Sequence, residues 1–112
     1  MKEERIKIIY VKPYTEPRIM EINNTLENMQ ALVGGNIEAY MPYDDEVAII
    51  CNEEGKLTGL PFNRAVVDEE GKIYDIIAGD FFLCSAPYKS ENFESLNEGQ
   101  VEKYMDIFGL PL

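Results

Sequence analysis

The sequence predicts a small α+β fold: a largely antiparallel sheet of about five to six strands, with two helices packed on one face. Three observations lead to this prediction. Short runs of Ile, Val, Tyr and Phe recur between turn residues, two longer segments carry apolar residues at helical spacing, and 46% of the 112 residues are apolar. A chain of this length and apolar content is expected to form one domain over residues 1–112.

The first half of the chain predicts a β-hairpin, a helix and two strands. The stretches RIKIIYVKP and PRIMEIN, joined by the turn PYTEP, alternate as paired antiparallel strands do. In NNTLENMQALVGG, apolar residues at helical spacing indicate a helix. Asn24 with Glu27 fits a capping box at its start, and Thr25 is a second candidate cap. Gly34 and Gly35 are expected to end it. The runs NIEAYM and EVAIICN then predict two strands, the second of them central.

The second half predicts a loop, further strands and a C-terminal helix. Between residues 57 and 67 the apolar pattern is interrupted by Gly, Pro and Asn, so we expect an ordered loop with little regular structure. The stretch VVDEEGKIYD predicts a hairpin, and IIAGDFFLCS continues it with strands that bend at Gly79. Ser95 with Glu98 fits a second capping box, which starts a helix whose first turn is weakened by Gly99.

The composition removes several classes of function. The chain has no His, so it has no Ser-His-Asp triad and no histidine metal ligand. Its two cysteines, Cys51 and Cys84, lie in separate apolar runs without a CxxC spacing, which favours buried free thiols in a reducing compartment. No nucleotide-binding or nucleophile motif occurs. We therefore expect no enzymatic activity, no catalytic residue, no cofactor and no bound metal.

The N-terminal segment and the net charge limit the location and the partners. The stretch MKEERIKIIYVK lacks the apolar core of a signal peptide, and no run approaches the length of a membrane span, so we expect a cytoplasmic protein without membrane contact. A net charge of -11 repels phosphate backbones, so direct nucleic-acid binding is not expected. The acids either form a solvated surface or imitate nucleic acid toward a basic protein.

Two similar acidic turns leave a choice between a metal site and ordinary turns. The stretch CNEEGKLTG spans 51–59 and VDEEGKIYD spans 67–75, each with two Glu followed by Gly and Lys. Neither has the alternating ligands of a calcium-binding EF-hand loop, so we favour two hairpin turns. The run of Asp44, Asp45 and Glu46 is likewise expected to be a solvated turn.

The candidate ligand site is the stretch Phe62, Asn63 and Arg64. The guanidinium of Arg64 suits a carboxylate or a phosphate, and the adjacent amide and aromatic ring would complete a pocket for a small anionic ligand such as a nucleotide. In the structural alternative, which we favour, Arg64 pairs with a carboxylate such as Asp75 or Asp80 and holds the loop in place.

Four segments together resemble a known family. The stretches IKIIYVKPYTEPRIMEI, LENMQALVGGNIEAY, EVAIICNEEGKLTGLPFNRAV and IYDIIAGDFFLC are similar to the domain of unknown function numbered 3846, from about residue 6 to the C-terminal helix. The resemblance implies a member of an orphan group carried by phages, plasmids and conjugative elements of Firmicutes and their relatives. It implies no established activity and no established site.

The resemblance and the composition together lead to an expected function. We expect a non-catalytic binding or accessory protein of a mobile genetic element, which counteracts host defence and whose ligand is either a protein partner or a small anionic molecule. One alternative is a nucleotide-sequestering protein with a pocket near Asn63 and Arg64. Another is an acidic DNA mimic that titrates a basic host protein. An exposed sheet edge would also allow homo-oligomers.

Overall fold

The chain forms seven strands and two helices within the residues that the structure describes. A computed structural model describes residues 3–68 and 70–110. In chain order the elements are β1 (Arg5–Val11), β2 (Arg18–Asn23), α1 (Leu26–Val33), β3 (Ile37–Tyr40), β4 (Val47–Asn52), β5 (Phe62–Val67), β6 (Ile73–Ala78), β7 (Phe81–Ser85) and α2 (Glu98–Ile107). Each pairing between these strands is antiparallel. The predicted α+β fold class is confirmed.

Five of the strands form one sheet in the order β2-β1-β7-β4-β3. The predicted N-terminal hairpin is present and pairs Ile8 with Met20. Strand β7 lies between β1 and β4, where Leu83 pairs with Ile9 on one side and with Ile49 on the other. All five residues of β7 are buried, because its continuous apolar run FFLCS faces apolar side chains on both sides of the sheet. The prediction that VAIICN is an inner strand is confirmed.

Both faces of this sheet are covered, each by one helix. Ile8 of β1 belongs to the apolar cluster that contains Met29 of α1. The next residue, Ile9, belongs to the opposite cluster, together with Tyr104 and Phe108 of α2. The prediction that both helices pack on one face is therefore wrong. Strands β1, β4 and β7 carry apolar residues on both faces of the sheet, so both faces must be shielded from water. The apolar stripe of a helix shows that the helix packs on a sheet but not on which face.

Strands β5 and β6 form a separate two-stranded sheet on the side of α2. Val66 and Ile77 of this sheet belong to the apolar cluster that contains Tyr104 and Phe108 of α2. The hairpin predicted around DEEGK is confirmed, with Glu69 outside the described residues. The prediction of an irregular loop from 57 to 67 is wrong for its second half, which is β5. Two register shifts in this hairpin break the two-residue alternation by which a strand is recognised.

Helix α1 is capped by Thr25, which confirms the second candidate, and not by the predicted box of Asn24 and Glu27. The Thr25 hydroxyl accepts a hydrogen bond from the backbone N–H of Asn28 at 3.1 Å. Asn24 is buried, and its amide donates instead to the backbone carbonyls of Glu3 and Phe93. The predicted end at Gly34 is confirmed, because this glycine adopts the left-handed conformation with a φ of 78°.

Helix α2 has a capping box two residues beyond the predicted one. The Asn97 side chain accepts from the N–H of Gln100 at 2.8 Å, and the Gln100 side chain accepts from the N–H of Asn97 at 3.0 Å. Ser95 does not cap the helix, since its hydroxyl donates to a carboxylate oxygen of Glu3 at 3.0 Å. The prediction of a Ser95–Glu98 box was wrong, because the sequence offers two overlapping cap candidates, Ser95 and Asn97. The Ser95 hydroxyl is hydrogen-bonded to Glu3, and Asn97 therefore caps the helix.

Candidate functional site

Arg64 lies in the interior of the protein, with 2% of its surface exposed. Its Nε donates to the backbone carbonyl of Phe108 at 3.0 Å, and its Nη1 donates to the side-chain oxygen of Asn63 at 2.9 Å. Its Nη2 donates to the backbone carbonyl of Thr15. The side chain thus joins β5 to the loop before β2 and to the end of α2. Burial lowers the pKa of the guanidinium from its ordinary value.

The predicted carboxylate partners of Arg64 are elsewhere. Asp75 forms an ion pair with Lys56, and Asp80 accepts a hydrogen bond from the hydroxyl of Tyr10 at 2.6 Å. Within residues 3–68 and 70–110, no carboxylate forms an ion pair with Arg64. The expected pairing with Asp75 or Asp80 is therefore wrong. The same alternative also expected Arg64 to hold a loop in place, and its contacts agree with that role. They are made to oxygens of carbonyl and amide groups and not to a carboxylate.

Of the other two residues of the candidate ligand site, one is buried in the interior and the other is exposed at the surface. Asn63 is fully buried, and its amide donates to the carbonyls of Val11 at 2.9 Å and Gly79 at 2.8 Å. Phe62 is 55% exposed. The structure does not bring the three residues together around an opening, and the donors of Asn63 and Arg64 that would meet an anion are engaged within the protein.

A cleft between the two sheets is lined by several charged and polar side chains. It has a volume of about 340 Å³ and lies between β3, β4, β6 and the turn after β4. We call it the acidic cleft. Its lining residues are Glu38, Tyr40, Cys51, Asn52, Glu53, Gly55, Lys56, Leu57, Asp75, Ile76, Ile77 and Ala78.

The turn after β4 is held close against β6, which forms one wall of the acidic cleft. A Cβ atom on Gly55 would lie 2.6 Å from the carbonyl oxygen of Ala78, so no other residue fits there without a backbone shift. The Asn52 side chain accepts from the N–H of Glu54 at 2.8 Å and donates to the carbonyl of Val33 at 3.1 Å. This turn joins strands of different sheets, so the prediction that CNEEGKLTG is a hairpin turn is wrong, whereas VDEEGKIYD does form one.

The charge in the acidic cleft is mostly negative. Glu38, Glu53 and Asp75 contribute carboxylates, and Lys56 is the one cation among the described residues that line it. The Lys56 ammonium contacts Oδ1 of Asp75, and this oxygen also accepts from the N–H of Ile76 at 2.8 Å. Over the described part of the chain, no three acidic or cysteine side chains are grouped closely enough to hold a metal ion.

Two ionisable groups in the acidic cleft are kept neutral. The pKa of the Cys51 thiol is raised to about 11, mainly by burial and also by the charges of Glu38 and Asp75, against a smaller lowering by Lys56. Burial also raises the pKa of the Tyr40 hydroxyl, and Cys51 and Asp75 add to the rise. The thiol is therefore protonated at neutral pH and is a poor nucleophile. The buried hydroxyl oxygen of Tyr40 has no hydrogen-bond partner in the described structure.

The chemistry of the acidic cleft favours a cationic group. Its carboxylates accept hydrogen bonds from ammonium or guanidinium donors, and they repel phosphates. The ring of Tyr40 stacks with that of Tyr74 at 6.3 Å between centroids, which adds an aromatic surface beside the cleft. Sequence reasoning did not single out this site. The one signal was the pair of similar acidic turns, because Lys56 belongs to the first and Asp75 to the end of the second.

Comparisons with known proteins give a family without an activity. No curated protein and no solved structure matches the chain. Neither helix in the described residues has the length and apolar character needed to cross a membrane. One family model, described as a domain of unknown function (DUF3846), matches residues 6–109. The match covers nearly the whole chain, and the protein belongs to this family.

Proposed function

We propose that this protein is a non-catalytic binding domain that holds a positively charged segment of a protein partner in the acidic cleft. The observation that carries the proposal is the charge of the cleft. Three carboxylates line it, against one lysine that is already paired with Asp75. A cationic side chain entering the cleft gains hydrogen bonds to these carboxylates, whereas a phosphate meets like charges.

The distribution of charge along the chain supports the same class of partner. Residues 1–18 carry three acids and five bases, whereas residues 19–112 carry eighteen acids and five bases. Of those last five bases, Arg64 is buried, and three lysines form ion pairs with carboxylates: Lys56, Lys72 and Lys103. The remaining negative field attracts basic proteins over a distance and accelerates their association.

The same contacts give less support to the other functions that the sequence suggested. Sequestering a nucleotide requires cations that are free to meet its phosphates, and Arg64 and Asn63 are committed to the interior. Imitating a DNA duplex calls for a long row of carboxylates, and the molecule measures 36 × 30 × 22 Å, with acids on several separate turns and on both helices. Capture of a basic segment also fits the accessory, defence-counteracting role that we expect for a protein of a mobile element.

The proposal is tested with an N-acetylated, fluorescently labelled hexa-arginine peptide and its uncharged hexa-citrulline counterpart. We expect the protein to bind the arginine peptide by fluorescence anisotropy, more weakly at about 0.3 M than at about 0.05 M salt, and not to bind the citrulline peptide. Replacing all three carboxylates of the cleft, as Glu38→Gln, Glu53→Gln and Asp75→Asn, should weaken binding about tenfold.

A matched variant separates the cleft from the general acidity of the surface. The changes Glu27→Gln, Glu91→Gln and Glu102→Gln alter the net charge by the same amount at three exposed acids outside the cleft. This variant should bind the arginine peptide nearly as well as the unchanged protein. Equal weakening in both triple variants, each checked for an unchanged circular dichroism spectrum, would refute the proposed site.

A further inference from the structure

The ion pair in the acidic cleft joins two of its walls, strand β6 and the turn after β4. Asp75 belongs to β6, and Lys56 belongs to the turn between β4 and β5. The side chains of Lys56 and Asp75 are 55% and 35% exposed, so the pair is open to solvent. Exposed ion pairs contribute little to stability, because water and salt replace them readily. A second cation can therefore displace Lys56 without disturbing the core.

The turn that carries Lys56 is closed by its own backbone hydrogen bonds. The N–H of Thr58 donates to the carbonyl of Glu54 at 2.9 Å, and the N–H of Leu60 donates to the carbonyl of Gly55 at 2.9 Å. The side chain of Asn52 fixes the start of the turn. None of these bonds involves the Lys56 ammonium, so its side chain is free to leave Asp75 while the turn keeps its shape.

The surroundings of Asp75 suit an incoming side chain that combines a cationic end with an apolar stem. Glu38 adds a second carboxylate, and Tyr40 adds an aromatic side chain. The neighbouring side chain of Leu57 is 89% exposed and offers an apolar surface at the rim. Lysine and arginine have such stems, which lie along apolar surface while the charged end forms its bonds.

We propose that Asp75 is the binding position for one lysine or arginine side chain of the partner, and that Lys56 occupies this position in the free protein. The Lys56 ammonium marks where the partner's cation binds, and binding requires its displacement. Lys56 thus weakens the affinity for the partner and favours segments that present a cation at this point. This inference rests on the proposed binding of a basic segment and specifies its central contact.

The test compares Lys56→Gln with Lys72→Gln, which changes the net charge equally. Lys72 lies in the β5–β6 turn outside the cleft, 3.9 Å from a carboxylate oxygen of Glu70. In titrations with the labelled hexa-arginine peptide, Lys56→Gln should raise the affinity about fivefold over the unchanged protein. The reason is that Asp75 is then open in every molecule and no longer occupied by Lys56 in most of them. Lys72→Gln should raise it by less than about twofold.

A second measurement uses the unchanged protein and so does not depend on the folding of a variant. The hexa-arginine peptide has no amine, so acetic anhydride modifies only the protein. Mass spectrometry should show that the peptide increases the acetylation of Lys56 relative to that of Lys72, since the displaced ammonium becomes free. An unchanged ratio in a sample saturated with peptide would overturn the inference.

The outcomes separate this inference from the function on which it rests. If the unchanged protein binds the peptide but the two lysine variants gain equally, the displacement of Lys56 is wrong and the proposed function stands. If the unchanged protein binds the peptide and only Lys56→Gln binds it more tightly, both are supported. If no variant binds the peptide, both are wrong.

Discussion

The guanidinium of Arg64 is surrounded by three backbone carbonyl oxygens and one side-chain amide oxygen. Its contacts with Thr15 and Phe108 join positions that are 49 and 44 residues away in the chain. A buried carbonyl oxygen that loses its hydrogen-bond donor has no water to replace it. The free-energy cost of leaving it without a partner is larger than the net stabilisation that the hydrogen bond gave. Arg64 is therefore expected to stabilise three segments at once.

Replacement of Arg64 should be among the most destabilising single changes in the chain. We expect Arg64→Met to lower the free energy of unfolding by about 3 kcal/mol, because several buried oxygens lose their donor. Arg64→Lys should cost about 2 kcal/mol, since a single ammonium cannot reach all of them. Urea denaturation measures both values. The control is Arg18→Met on the exposed edge strand β2, which should change the stability by less than about 0.5 kcal/mol. A comparable loss in the control would show that Arg64 has no special role.

At the scale of one element, the start of α2 distinguishes two overlapping capping patterns. The reciprocal bonds between Asn97 and Gln100 satisfy two backbone N–H groups that have no partner inside the helix. The neighbouring Glu98 is exposed and contributes its charge near the positive end of the helix dipole.

Loss of the observed cap should therefore cost more than loss of the Glu98 carboxylate. We expect Asn97→Ala to lower the free energy of unfolding by about 1 kcal/mol. Glu98→Gln should lower it by less than about 0.5 kcal/mol once salt screens the dipole. Thermal denaturation at about 0.2 M salt compares the two variants. The opposite order would favour the Ser95–Glu98 pattern that the sequence suggested.

The strands and helices whose signals are local could be predicted from the sequence. Apolar spacing located both helices, and continuous or alternating apolar runs located the strands around Ile8, Ile49 and Leu83. Strand β5 was missed, because Asn63 and Arg64 resemble loop residues until their distant partners are known. The acidic cleft was missed for the same reason. It forms only where β6 meets the edge of the five-stranded sheet, and no local pattern tells which strands of two sheets lie opposite each other.

At the scale of the whole molecule, several ionisable groups are buried in their neutral form. Burial raises the pKa of Cys51 from 9.0 to about 11 and that of Cys84 from 9.0 to about 12. It likewise raises the pKa of Tyr43 from 10.0 to about 12. Below the ordinary values these groups are protonated in both the folded and the unfolded chain, so their contribution to stability is fully present. At a pH between the ordinary pKa and the raised pKa, these groups lose their protons only in the unfolded chain. Unfolding therefore becomes more favourable as the pH rises.

The protein should therefore lose stability on the alkaline side, beginning near the ordinary pKa of a thiol. We expect the free energy of unfolding to be nearly constant from about pH 7 to about pH 8.5, and then to fall by about 1.4 kcal/mol per pH unit for each thiol that titrates only in the unfolded chain. Urea denaturation in a phosphine reductant follows this decline. In the double variant Cys51→Ala with Cys84→Ala, the decline should begin about one pH unit higher, because the ordinary pKa of a tyrosine hydroxyl lies above that of a thiol. If the onset does not move, burial of the thiols is not its cause.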